Sequence, residues 1–215
     1  MLENTIICGD CLEVMKDWPD GCVDLVLTDP PYGLTDWNNR GSNSDRPFDS
    51  EETQQWDKPI KQIHIDTMRR VSKEQIIWGG NHFLELLTNT KQMFVWNKGI
   101  RRMHFNDCEI AWCSQFKEAC RVFDYHVSRN QNKVHPTQKP LDLMLWCLSF
   151  SDANLILDPF CGSGTTCVAA KMLGRRYIGI DISEDYCQIA RDRLRAVDTG
   201  VPVKEARAGQ GALFE

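Results

Sequence analysis

Two short stretches of this 215-residue chain bring together groups that can do chemistry. The first, Asp29-Pro30-Pro31-Tyr32, directly follows the apolar run Val23 to Thr28. Consecutive prolines fix φ near about −65° and carry no N–H, so the Pro30 carbonyl is a rigid acceptor beside the Asp29 carboxylate. Two acceptors converging on one point suit an amino group conjugated to an aromatic ring. Bonding both of its hydrogens favours a pyramidal nitrogen whose lone pair projects outward. Tyr32 adds a flat face for that ring, a contact worth roughly 1–3 kcal/mol.

The second stretch is Asp158-Pro159-Phe160-Cys161-Gly162-Ser163-Gly164-Thr165-Thr166. Gly162 and Gly164 allow a sharp turn and close ligand approach, and the helix that follows presents free N–H groups to an anionic group. Twenty-three residues after Asp158 comes Asp181, an acid placed to accept both hydroxyls of a ribose. A dinucleotide fingerprint wants a third glycine at position 167, where this chain has Cys167, so the pattern favours a nucleoside ligand without a pyrophosphate.

Both motifs need strands and helices to hold them. Val23 to Thr28 predicts a buried strand stopped by prolines, Ile60, Ile63, His64, Thr67, Met68 and Val71 predict a helix, and Gln75 to Trp78 a strand ending at Gly79-Gly80. Met93 to Trp96 and Glu109 to Trp112 predict further strands, and Leu141 to Phe150 a helix opened by Pro140. The last third is a βαβ unit: strand Leu155 to Asp158, helix Thr165 to Leu173, strand Tyr177 to Asp181. A helix from Glu184 to Leu194, capped by Ser183, follows. Residues 34–57 are polar, without a period, and predict a long mobile loop. The chain therefore predicts one α/β domain over residues 1–197, with a doubly wound, mostly parallel sheet, and a loose tail over 198–215.

Hydrophobic residues are 42% and charged residues 26% of the chain, the composition of one globular domain that buries about 70% of its unfolded surface without a disulfide or metal staple. Its ten cysteines stand mostly singly in apolar segments (Cys22, Cys120, Cys147, Cys187), and the pair Cys8 and Cys11 has no second pair to complete a zinc site. They predict reduced, buried thiols, no metal and a cytoplasmic setting. No apolar run approaches the roughly 20 residues that span a bilayer, and the first residues lack a secretory pattern. The net charge is −5, yet residues 91–140 hold nine basic against four acidic side chains. Such a block is either a solvated face or a nucleic-acid footprint.

The two motifs together resemble those of the S-adenosylmethionine-dependent DNA amino-methyltransferases. The Asp29 tetrapeptide is similar to their catalytic motif and Asp158 to Thr166 to their cofactor loop. The catalytic motif precedes the cofactor loop, as in the circularly permuted beta group. His135-Pro136-Thr137-Gln138-Lys139-Pro140 and Gly9-Asp10 resemble two further motifs of that group, so that the likeness covers nearly all of residues 4–196.

The resemblance implies a Rossmann-like methyltransferase fold with S-adenosylmethionine as cofactor. Asp29 and the Pro30 carbonyl take the target amino group, Pro31 stiffens the motif, and Tyr32 stacks on the base. Phe160, Gly162, Gly164 and Thr165, in the loop opened by Asp158, line the methionine part of the cofactor. Thr137 and Lys139 lie near its carboxylate, Asp181 on the ribose and Asp10 at the adenine end. The partner implied is double-stranded DNA with the target nucleotide flipped out of the stack. Lys98, Arg101, Arg102, Arg129 and Lys133, within the candidate DNA-contacting segment 98–134, are placed for phosphates. Asp29 favours N6 of adenine; N4 of cytosine, whose enzymes more often carry Ser there, is the alternative. A nucleotide-dependent oxidoreductase is disfavoured by Cys167 and the prolines, and a silent DNA-binding module by the presence of both motifs. The group further implies a bacterial or phage setting, a homodimer and a companion restriction nuclease.

Overall fold

The computed structural model describes residues 2–33, 58–101, 106–114, 119–126 and 138–200. The predicted loop 34–57 and most of the tail lie outside these residues, as do Arg102, Arg129, Lys133 and Thr137. In chain order the elements are β1 (Thr5–Cys8), α1 (Cys11–Met15), β2 (Val23–Thr28), α2 (Gln62–Val71), β3 (Ser72–Trp78), β4 (Met93–Asn97), β5 (Cys108–Cys113) and β6 (Arg121–Asp124). These are followed by α3 (Leu141–Leu148), β7 (Leu155–Asp158), α4 (Thr165–Met172), β8 (Arg176–Asp181) and α5 (Glu184–Thr199).

The strands form one sheet in the order β1-β8-β7-β2-β3-β5-β4-β6, in which only β5 runs against its neighbours. Alternating side chains feed two apolar layers. Leu25, Leu27, Ile76, Trp78 and Ile156 pack with α3, α4 and α5, while Val23, Val26, Ile77, Leu155 and Leu157 pack with α1 and α2 on the other face. This is the doubly wound α/β arrangement, and its topology fixes where ligands go. The chain leaves β7 through α4 toward β8 on one side, and leaves β2 through α2 toward β3 on the other. The crevice at the carboxyl ends of the adjacent strands β2 and β7 is therefore the switch point of the sheet.

Several elements depart from expectation. β1, α1 and β6, at four or five residues each, are too short to show a period; β1 is recruited by β8 and β6 by β4. In α2 the buried stripe is Ile65, Met68 and Val71, and Ile63 is exposed, because the helix begins at Gln62. α5 runs to Thr199, past the expected start of the tail, and Lys171 pairs with Asp198 at 2.6 Å. Cys8 and Cys120 are exposed rather than buried, and the cysteines are free. No helix among the described residues is long and apolar enough to cross a membrane.

Candidate active site

The two motifs meet at the switch point. Asp29 follows the last residue of β2 and Asp158 ends β7; the Thr28 hydroxyl between them donates to Asp158 Oδ1 at 2.7 Å. Asp158 also accepts from the Phe160 N–H at 3.2 Å, so it shapes the turn from beneath. It is 4% exposed, and burial raises its pKa to about 6, against the hydrogen bonds of Thr28, Thr166 and Phe160. The sequence pattern puts Asp158 among the cofactor contacts; its burial makes it a scaffold of the loop instead.

Above it, the Cys161 N–H donates to Ile180 O and the Gly162 N–H to Asp181 Oδ2 at 2.8 Å, tying the loop to the end of β8. The second Asp181 oxygen accepts from Ser183 N at 2.9 Å, where the chain turns into α5. Burial raises the Asp181 carboxyl above its ordinary pKa, opposed by these N–H donors. The two loop glycines serve different ends. Gly162 has φ +48° and a Cβ there would meet nothing within 4 Å, so the loop is open at that point. Gly164, with φ +78°, is walled by α5: a Cβ would stand 2.7 Å from Ala190 Cβ. Its role is the fit of α4 against α5 rather than a ligand surface. Phe160 is half-buried, with the His64 ring 6.1 Å from its own. Asp10 caps α1, its Oδ1 accepting from Leu12 N at 2.8 Å, and the neighbouring Gly9 N–H donates to Asp181 O.

On the β2 side both Asp29 oxygens are engaged. Tyr32 donates its hydroxyl to Oδ1, and Lys139 donates to Oδ2 at 2.5 Å. Lys139, which precedes α3, is expected from its motif near a cofactor carboxylate. Its ammonium instead lies between two carboxylates of the chain itself, with Glu109 Oε2 at 2.9 Å. Glu109 in turn receives Lys98 at 2.6 Å. Lys98, expected on phosphates, is thus turned inward, its side chain 13% exposed. Burial alone would discharge Lys139, but Asp29 and Glu109 outweigh it and hold its pKa well above the ordinary value. Burial likewise pushes Asp29 up, against the pull of Lys139. Glu109 is brought down to about 2, because the two lysines overcome its burial.

Tyr32 is fixed from three sides. His82 stacks on it with ring centroids 4.6 Å apart and planes 16° from parallel, and Phe83 meets it edge-on at 5.8 Å. Gly79, left-handed at φ +72°, lies against the ring, where a Cβ would stand 2.1 Å from Tyr32 Cε1. In the sequence Gly79 reads only as the end of a strand; the fold brings it and His82 onto Tyr32.

Arg193 carries no signal in the sequence. Instead of lying free on the last helix, it donates to Ser163 O at 2.6 Å, Ser163 Oγ at 3.0 Å and Thr165 Oγ1 at 3.1 Å. It therefore braces the glycine loop, and Thr165 is buried on this brace. Arg101 is exposed, held by Asn97 Oδ1 at 3.0 Å. Among the described residues one trio, Cys8, Glu184 and Cys187, brings metal-ligand atoms within 4.8 Å of one another. Glu184 is paired there with Arg191 at 2.6 Å, and the Cys187 thiol is pushed up to about 12, chiefly by burial.

A doubly wound sheet with an acidic, proline-stiffened motif at its switch point and an open glycine turn beside it is an arrangement of the Rossmann-like class. Comparison with known proteins narrows this. The model of the N6/N4 methyltransferase family, described as DNA methylase, matches residues 90–192. The chain is 30% identical to the type II methyltransferase M.HinfI of Haemophilus influenzae, over 90% of this chain and 69% of that one. Its fold matches the crystal structure of an M1.HpyAVI complex with S-adenosylmethionine at a TM-score of 0.58 and 25% identity, over 88% and 98% of the two chains. It matches the cytosine-N4-specific PvuII DNA methyltransferase at 0.61 and 15% identity, over 87% and 85%. The chain belongs to the N6/N4 DNA amino-methyltransferase family.

Proposed function

We propose that this protein transfers a methyl group from S-adenosylmethionine to the N6 amino group of an adenine in DNA. The observation that carries the reading is the junction of Asp29-Pro30 with the Asp158 turn through the Thr28–Asp158 hydrogen bond, which sets a candidate amino-group acceptor beside a candidate cofactor loop. The residues present fit the cofactor. The loop is open over Gly162, Asp181 still has lone pairs for ribose hydroxyls, and the half-buried Phe160 offers an aromatic face to a sulfonium.

When bound, the cofactor supplies an electrophilic methyl group on a positively charged sulfur. The residues of the chain act on the nucleophile. Asp29 and the Pro30 carbonyl accept the two hydrogens of the amino group, which aims its lone pair at the methyl carbon. The nitrogen that takes the methyl group would have one proton to lose, and the Asp29 carboxylate, already hydrogen-bonded to it, is the group placed to receive it. An amino group approaching Asp29 takes the place of the Tyr32 hydroxyl on Oδ1, and Tyr32 then serves the base by stacking. The base must be flipped out, since an in-duplex amino group cannot reach the end of β2. Asp10 and Asp181 serve the adenosine end. Arg101, together with Arg102, Arg129 and Lys133, serves the phosphates.

The preference for adenine rests on Asp29. Purified protein incubated with methyl-tritiated S-adenosylmethionine and mixed-sequence duplex DNA, followed by nucleoside analysis, is expected to yield N6-methyladenine. Label recovered chiefly in N4-methylcytosine would overturn the choice of base, and absence of label in either would overturn the assignment of DNA as substrate.

A further inference from the structure

The ion pairs behind the acceptor form a chain: Asp29 to Lys139, Lys139 to Glu109, Glu109 to Lys98. The four groups come from four separate segments: the end of β2, the residues before α3, strand β5 and the residue after β4. They alternate in sign and are largely withdrawn from water, their side chains between 7% and 22% exposed. Ion pairs this sheltered are expensive to assemble and are not needed merely to hold a sheet together. Each Glu109 oxygen faces one ammonium, Oε2 that of Lys139 at 2.9 Å and Oε1 that of Lys98 at 2.6 Å, so the carboxylate bridges the two lysines.

We propose that Lys139 and Glu109 are a positioning pair for methyl transfer: Lys139 holds the Asp29 carboxylate as a charged acceptor, and Glu109, anchored by Lys98, holds Lys139. This rests on the role of Asp29 proposed above. A neutral Asp29 carboxyl is a poorer acceptor and presents a hydrogen where the amino group needs an oxygen. Lys139 opposes that neutralisation. Glu109 favours it by its charge, yet keeps the lysine in place, so the two residues push the titration of Asp29 in opposite directions. The other ionisable groups facing Asp29 are Tyr32, on Oδ1, and Asp158, at the end of β7. Tyr32 stays protonated, because burial and the Asp29 charge raise its pKa.

The test follows the Asp29 carboxyl directly, by its carbon-13 chemical shift against pH in the full-length chain, with the resonance assigned from Asp29→Asn. The acid limb of kcat for methyl transfer is measured in parallel. Lys139→Met is expected to raise the midpoint of Asp29 by at least one pH unit. The acid limb of kcat then moves up with it, about a tenfold loss of rate at one unit below the new limb and recovery above it. Glu109→Gln is expected to move the midpoint the other way while lowering the plateau of kcat, and Lys139→Arg to keep both near wild type. Circular dichroism checks that each variant folds; should Lys139→Met fail, a lowered midpoint in Glu109→Gln beside an unmoved one in Lys139→Arg decides, and an unmoved midpoint in Glu109→Gln overturns the proposal. Unmoved midpoints in Lys139→Met and Glu109→Gln, or a loss confined to S-adenosylmethionine affinity measured by calorimetry, would overturn the proposal. Wild-type protein that methylates no amino group, yet shows the shifted Asp29 titrations, would overturn the proposed function and leave the pair standing.

Discussion

Replacing Gly79 by Ala separates what the backbone needs from what Tyr32 needs. The left-handed φ of +72° costs an L-residue roughly 1–2 kcal/mol wherever it occurs. The new Cβ would also stand 2.1 Å from Cε1, 2.4 Å from Cζ and 2.7 Å from the hydroxyl oxygen of Tyr32, an overlap that the folded chain cannot keep. If the ring stays, overpacking adds about 1–3 kcal/mol. If the ring yields, that part of the stability is spared, but Tyr32 leaves both His82 and Asp29. Urea denaturation of Gly79→Ala, Tyr32→Ala and the double variant measures the division. In the Tyr32→Ala background only the backbone cost remains, so the two Gly79→Ala losses should differ by about 1–3 kcal/mol, or the single variant should lose methyl transfer more than tenfold at unchanged S-adenosylmethionine affinity. An equal loss of stability in both backgrounds, with full activity in Gly79→Ala, would refute the seating of Tyr32 on Gly79.

Asp181→Ala should weaken S-adenosylmethionine at least tenfold by calorimetry, because each hydrogen bond to the ionised carboxylate is worth about 1.5–3 kcal/mol; unchanged affinity would remove Asp181 from the site. Arg193→Ala should destabilise the fold by about 2–4 kcal/mol in denaturant titrations, since buried acceptors on Ser163 and Thr165 lose their donor. The exposed Arg195→Ala should stay within about 0.5 kcal/mol of wild type, and equal effects would show that the brace is idle. Arg101→Ala should flatten the plot of log DNA affinity against log salt by about 0.9 for each phosphate that the guanidinium neutralises. An unchanged slope would place the duplex elsewhere.

What is legible in the sequence is what sits within a few residues of its own cause. Prolines after an apolar run mark the end of β2, and Gly162 and Gly164 between two apolar runs mark the turn from β7 into α4, so local pattern alone puts Asp29 and Asp181 at strand ends. The partners of Lys139, Lys98 and Arg193 are not legible in this way. Lys139 and Asp29 are 110 positions apart, and Arg193 lies 28 from Thr165, with nothing between to announce the contact. A lysine in a basic segment looks like a phosphate ligand until an acid on the neighbouring strand takes it, as Glu109 takes Lys98. Short edge strands such as β6 fail for another reason: their pairing depends on a neighbour, and exposed Arg121 and Val122 leave no apolar period to detect.

The charge arrangement of the crevice suits the proposed function, in which a base enters while the rest of the nucleic acid stays outside. Its walls are rich in acceptors: Asp10, Asp29 and Asp181 lie at the ends of β1, β2 and β8. Of the cations near the acceptor, Lys139 is shared by two carboxylates and Lys98 is bound to one of them. Such an interior attracts amino hydrogens, ribose hydroxyls and a sulfonium, and repels a phosphate, which would be desolvated beside carboxylates whose neighbouring lysines are already paired. On the proposed function, phosphate contacts then fall to the rim, where Arg101 is exposed, and the crevice is left to a neutral, donor-bearing fragment. Because β2 and β7 are neighbours in the sheet, this division holds whichever of the two motifs comes first in the chain, and a permuted motif order leaves the chemistry of the crevice unchanged.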